Sequence, residues 1–219
     1  MPDALGILET TGYTPAIAAL DAMEKVSGVT LLQVEKNDFY GVILKVTGDL
    51  AAVDVALRTG KEVAAEMQGK PLANLMKRPD DRAFPAIMAK PEVSPLIQQS
   101  TVIVPASAEE MKQRKTNSRA SGAATMADTQ SFALGLIETQ GFTAVFEAID
   151  TACKAANVEV LGKEKLGGGY ITIVLKGDVA AVKAAIDAGK SKVEGLGKLI
   201  AAHVIPRPSA AVLALLPKL

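Results

Sequence analysis

The residue types with the widest chemical repertoire are sparse in this chain. It holds one histidine, His203, and one cysteine, Cys153. A metal centre needs several ligands at workable spacing, and a nucleophile needs a base within reach. One histidine and one cysteine far apart in the chain supply neither. His203, set in an apolar run, reads as a structural histidine, and Cys153 as an ordinary helix residue. A single cysteine excludes an intramolecular disulfide and fits a reducing compartment. Glu9 and Glu138 each close an apolar run and are each followed by threonine. They could be paired acids, but Glu-Thr at a strand end is more simply a turn or capping arrangement. No catalytic residue, metal site or cofactor is expected, and the chain does not read as an enzyme.

Two turns stand out instead. Leu166-Gly167-Gly168-Gly169-Tyr170 has the look of a phosphate-cradling loop, but such a loop must open onto a helix N-terminus. Here the glycines lead into an apolar, β-branched run, so a hairpin turn is expected. The second turn, Asn37-Asp38-Phe39-Tyr40, begins with ordinary turn formers. Its two aromatics are not ordinary, because a turn gains nothing by exposing a phenyl ring. An aromatic on a loop tip is either buried in a partner or placed for function.

Composition narrows the classes further. Lys plus Arg balances Asp plus Glu at 24 each, which leaves broad nucleic-acid binding without an electrostatic driver. No apolar run approaches the length of a membrane span. Met1-Pro2-Asp3 lacks the basic and apolar regions of a signal peptide, so a cytoplasmic location is expected. The hydrophobic share of 49% comes from Ala, Val, Leu and Ile, with no tryptophan.

The elements that position these turns emerge from an internal repeat. Ala4-Leu5-Gly6-Ile7-Leu8-Glu9-Thr10 returns as Ala133-Leu134-Gly135-Leu136-Ile137-Glu138-Thr139, an offset of 129 residues. Gly48-Asp49 returns as Gly177-Asp178, and Arg78-Pro79 as Arg207-Pro208, in the same register. Residues 4–79 thus align on 133–208 without a gap, about a third of them identical. This period is far longer than the roughly 20–50 residues of solenoid repeats, so each copy must be a domain with its own core.

Within each copy, strand and helix patterns alternate. Residues 5–10 read as a strand. Thr14 is the expected N-cap of a first helix, with Pro15 at its first position. Ile17, Leu20 and Met23 form the helix's apolar stripe, matched in copy two by Phe146 and Ile149. Residues 29–35 and 41–46 read as a hairpin. Asp49 caps a second helix that buries Val53, Leu57 and Ala64, as Asp178 does for Val182, Ile186 and Val193. Residues 72–76 and 201–205 read as last strands. The order β-α-β-β-α-β is that of a ferredoxin-like sandwich, so the fold class is α+β with two non-permuted tandem copies.

The expected boundaries are a first domain over 1–90, a linker over 91–130 and a second domain over 131–219. The linker region holds a short β-like run at 101–104. It then turns polar and small from Lys112 to Arg119 and from 120 to 125. Met126-Ala127-Asp128 has the character of a former start, as a gene fusion would leave.

Copy two resembles the shell domain of bacterial microcompartments. The resemblance lies in the Ala133 to Thr139 motif, Lys154-Ala155-Ala156-Asn157-Val158, the three glycines, Lys176-Gly177-Asp178-Val179 and His203-Val204-Ile205-Pro206-Arg207-Pro208. Copy one is a divergent match, with Gly28 for Asn157, Lys77 for Pro206 and no glycine loop. The resemblance implies a homotrimer that mimics a hexamer, since single-domain members form flat hexamers with a central pore. It implies a pore lined by Gly167, Gly168 and Gly169 alternating with Asn37, Asp38, Phe39 and Tyr40. It places Lys25, Lys154, Arg78 and Arg207 at tile edges, where they support lateral assembly with other shell proteins. Encapsulated enzymes are further implied partners, and the linker could fold on one face or recruit such cargo. Some tandem members hold an iron–sulfur cluster through a pore-loop cysteine. Neither loop here contains one, so none is expected. The reading from residues alone leaves an alternative, a ligand-binding regulatory protein with a duplicated ferredoxin-like fold.

Overall fold

A computed structural model describes residues 4–37, 39–105 and 132–217. Copy one runs β1 (Ala4–Thr11), α1 (Tyr13–Ser27), β2 (Thr30–Lys36), β3 (Gly41–Gly48), α2 (Leu50–Glu66) and β4 (Leu72–Met76). A short helix α3 (Phe84–Ile87) follows, then three two-residue strands, β5 (Val93–Ser94), β6 (Gln99–Ser100) and β7 (Val102–Ile103). Copy two repeats the plan as β8 (Ala133–Gln140), α4 (Phe142–Ala155), β9 (Glu159–Lys165), β10 (Tyr170–Gly177), α5 (Val179–Lys190) and β11 (Lys198–Ile205). A terminal turn of helix, α6 (Ala210–Ala214), closes it. The tandem α+β reading holds.

Both sheets are antiparallel and share one strand order, β4-β1-β3-β2 in copy one and β11-β8-β10-β9 in copy two. This is the split βαβ arrangement, in which each crossover helix joins strands with one strand between them. Even an irregularity is repeated. The hairpin ladder slips one residue between Leu31 and Gln33, and again between Val160 and Gly162. A bulge bends the strand and increases its local twist. Asp49 and Asp178 cap α2 and α5 as expected, accepting from the N–H groups of Ala52 and Ala181. Val53, Leu57, Ala64, Val182, Ile186 and Val193 are buried, also as expected.

The expected strand at 101–104 forms over Val102–Ile103 and pairs with β2, widening the first sheet to five strands. Before it, the chain folds back on copy one. Gln33 donates to the Ala89 carbonyl and accepts from the Ala89 N–H, and the Lys45 ammonium reaches the Ile87 carbonyl. The polar stretch from Lys112 to Thr125 and the Met126-Ala127-Asp128 start both lie outside the described residues.

Two readings of the first helices need correction. Thr14 is not the N-cap of α1; the helix begins at Tyr13 and its N-cap is Gly12, which has no side chain to offer. Nor is the apolar stripe equally buried in the two copies. Ile17, Leu20 and Met23 are inaccessible, whereas Phe146 is 50% exposed and Ile149 half-buried. The first departure is common to both copies, since α4 likewise starts at Phe142 after Gly141; the second has a cause in the packing. The far side of copy two's sheet lies across α1, so one apolar cluster joins Tyr13, Ile17 and Leu20 to Leu134, Leu136, Val174 and Ile205. Nothing in the described chain does the same for α4, whose own cluster stays within copy two. Ten residues of α1 are buried against four of α4. The first helix is therefore a filling between two sheets, and the second is a surface.

Candidate functional site

Around its apolar cluster, the join between the copies carries polar contacts, several of them at positions that the sequence repeats. Glu138, at the end of β8, is fully buried. One carboxylate oxygen accepts from the Tyr13 N–H and the other from the Thr14 N–H, both at 2.8 Å. These are donors that the first turn of a helix cannot satisfy internally, and a carboxylate there also meets the positive end of the helix dipole. Burial raises the Glu138 carboxyl above its ordinary range, and the backbone donors of Tyr13 and Thr14 oppose that shift. The strand-end Glu-Thr is thus a capping arrangement, but it caps the other copy's helix. Beside it, Tyr13 donates its hydroxyl to the Leu215 carbonyl at 3.0 Å. Lys36 and Glu164 form a buried ion pair at 2.9 Å, a geometry that satisfies two charges which would each be costly alone. The Ser209 N–H donates to Asp21 and the Ala211 N–H to Glu24.

The two singled-out turns end up side by side. Tyr40 stacks on Tyr170 with ring centroids 4.5 Å apart, and Phe39 tilts against Tyr40 at 4.6 Å. The geometry of such offset aromatic contacts is favourable beyond their area. Gly168 lies under the Tyr40 ring so closely that a Cβ would fall 1.8 Å from Cε1. Gly168 and Gly169 adopt φ of 64° and 80°, the left-handed region in which glycine is at ease. Tyr40 is also left-handed, at φ 64°, held there by a turn in which Asn37 Oδ1 accepts from Phe39 and Gly41 N–H groups. Gly167 closes its turn by accepting from the Tyr170 N–H. Phe39 is 76% exposed, the ring left outside this stack. Asp38 lies outside the described residues.

The charged residues singled out by the resemblance are all at the surface. Lys25 pairs with Asp21 and Lys154 with Asp150, one helical turn earlier in each copy. Arg78 and Arg207 are exposed at the ends of their last strands. Lys154 is held above its usual range by the Asp150 carboxylate.

His203 on β11 is half-buried and faces Asp21 and Lys25 of copy one. Burial first, and then the Lys25 charge, lower its pKa, while Asp21 opposes them. The Cys153 thiol is exposed and free, with its pKa raised by partial burial and by Asp150. A raised thiol is a poor nucleophile. Among the described residues no group of three or more His, Cys, Asp or Glu could hold a metal. No helix among them is long and apolar enough to cross a membrane.

The sequence reading missed the cross-copy roles of Glu138, Lys36 and Glu164. A signal for them was present. Glu9 and Glu138 match across the repeat, as do Lys36 with Lys165 and Glu35 with Glu164, and charges kept in the same place in two copies are candidates for a repeated contact.

Comparison with known proteins agrees with this architecture. The BMC domain matches twice, over residues 4–77 and 133–208. The chain is 51% identical over 89 residues to bacterial microcompartment shell protein PduA of Citrobacter freundii, covering 41% of this chain and 96% of that protein. It is 51% identical over 76 residues to shell protein EutM of Escherichia coli, covering 35% of this chain and 78% of that protein. The major carboxysome shell protein of Halothiobacillus neapolitanus is 45% identical over 94 residues, covering 42% of this chain and 96% of its own. Each of these relatives has the length of about one copy. Among solved structures, a microcompartment protein from Desulfitobacterium hafniense is 26% identical, with 96% of this chain and 97% of that one covered at a TM-score of 0.37.

Proposed function

Since the chain belongs to the BMC-domain family and is a shell protein of bacterial microcompartments, we propose that it closes into a trimeric, pseudohexameric tile with a central pore. The observation behind this reading is the join between the copies. It is heterologous, pairing the helix face of copy one with the sheet face of copy two. A heterologous contact repeated around an axis generates a ring when its rotation closes. With two copies per chain, three chains supply six domains.

The same reading sets the two turns around the axis, three Asn37-Asp38-Phe39-Tyr40 loops alternating with three Gly167-Gly168-Gly169 loops. Their proximity within one chain, with Tyr40 on Tyr170 and over Gly168, supports this placement. Phe39, the repeat partner of Gly168, is the exposed ring. Three such rings would narrow the opening and make it apolar, as in a hydrophobic constriction, between glycine turns whose N–H groups suit polar or anionic solutes. Lys25, Lys154, Arg78 and Arg207 would lie at the rim and support tiling against other shell proteins. The tile has a structural and transport role in this reading, with no reaction of its own. It would sit in the cytoplasm as part of a shell, its inner face open to encapsulated enzymes.

The names of the relatives favour the tile over a ligand-binding regulatory protein of the same fold. Multi-angle light scattering tests it. A mass of three chains across a wide concentration range is expected, and a monomer or dimer throughout would overturn the ring.

A further inference from the structure

We infer that Glu9 of a second copy of this chain caps α4, accepting from the N–H groups of Phe142 and Thr143. The inference rests on the ring reading and names the residues that close it. The template is inside the chain. Glu138 caps α1 at Tyr13 and Thr14, and the repeat maps these three residues onto Glu9, Phe142 and Thr143. Both helices start after a glycine and have no cap from their own side chains. The first N–H groups of each can be satisfied only from elsewhere. At Gly12 a Cβ would meet Glu138 Oε2 at 3.1 Å, whereas the matching Gly141 meets only Gly197 Cα and the Leu196 carbonyl, at 3.8 Å.

Three further observations point to the same occupant. Phe142 and Phe146 are 45% and 50% exposed and lie tilted against each other with ring centroids 6.1 Å apart, while their counterparts Tyr13 and Ile17 are 2% exposed under copy two's sheet. On the sheet side, Ile7 and Glu9 are half-buried where Leu136 and Glu138 are covered by α1. The buried Lys36–Glu164 pair across the internal join maps onto Lys165 and Glu35. The second join would thus repeat the first in both its cap and its ion pair.

It would also differ from it. Glu35 already pairs with Lys45, which stands where copy two has Val174, so Lys165 of the next chain would make Glu35 a bridge between two lysines. Phe142 lacks the hydroxyl that Tyr13 uses, and Ile43 replaces Thr172, which faces the Glu138 carboxylate. The second join lacks those two hydroxyls, and as the one between separate chains it is the join that opens on dilution.

Sedimentation of the full chain, paired with hydrogen exchange of the peptide holding Phe142 and Thr143, tests this. The wild type should form trimers with that peptide protected. Glu9→Ala should raise the concentration at which the trimer falls apart by about tenfold or more, the equivalent of a lost cap at each contact. Glu9→Gln, which keeps one accepting oxygen, should fall between them and serves as the readout if the alanine variant folds poorly. Faster exchange at Phe142 and Thr143 in the remaining trimers is expected of both variants. A wild-type trimer with variants that match it in dissociation and exchange overturns the capping assignment and leaves the ring standing. A wild type that never forms trimers overturns both.

Discussion

Replacing Glu138 with alanine is the most direct perturbation of the join between the copies. It removes the only acceptor that the structure offers to the Tyr13 and Thr14 N–H groups, which lie where water does not reach. Each buried donor left without a partner costs about 1–3 kcal/mol. Against that, the variant no longer has to bury a carboxylate, a burden visible in the raised Glu138 pKa. The net loss should be about 2–4 kcal/mol, in the upper part of the range for lost helix caps. Glutamine at the same position avoids the buried charge and keeps one accepting oxygen, so its loss should be near 1 kcal/mol. Urea unfolding at neutral pH reads both values, and hydrogen exchange should localise the weakening to the first turn of α1. An alanine variant within about 0.5 kcal/mol of wild type, the scatter of an ordinary surface change, would refute the claim that this carboxylate holds the copies together. So would a large loss with no change in exchange at Tyr13 and Thr14.

Two other outcomes follow from the same geometry. Phe39→Gly should leave the trimer mass and melting temperature unchanged, because the ring is largely exposed, while small polar solutes pass faster through reconstituted shells. Unchanged flux with a clearly lowered melting temperature would instead give Phe39 a packing role. His203 has a lowered pKa through burial and the nearby Lys25, so the unfolded chain takes up its proton more readily than the folded one. Wild type should therefore lose stability relative to His203→Asn as pH falls from the ordinary value of 6.5 to the lowered one, then run parallel below it. Parallel pH profiles throughout would show that the imidazole is not held neutral.

What the sequence determined by itself is what local pattern controls. The repeat, the strand and helix order, the caps at Asp49 and Asp178 and the two turns follow from spacing and turn chemistry, which act over a few residues. That Glu138-Thr139 serves a turn or capping arrangement was legible too. Only the tertiary structure decided which helix is capped, because the donors sit 124 and 125 residues away in the chain. It also decided that equivalent stripes have different fates. Ile17 and Phe146 occupy the same position of the same repeat, yet one is buried and the other half in solvent. A helix's apolar face records that something covers it, whereas the identity of the cover depends on where a second sheet is delivered. In this chain copy two's sheet lies across the outer face of α1 as well, whereas among the described residues α4 packs only on the sheet of its own copy.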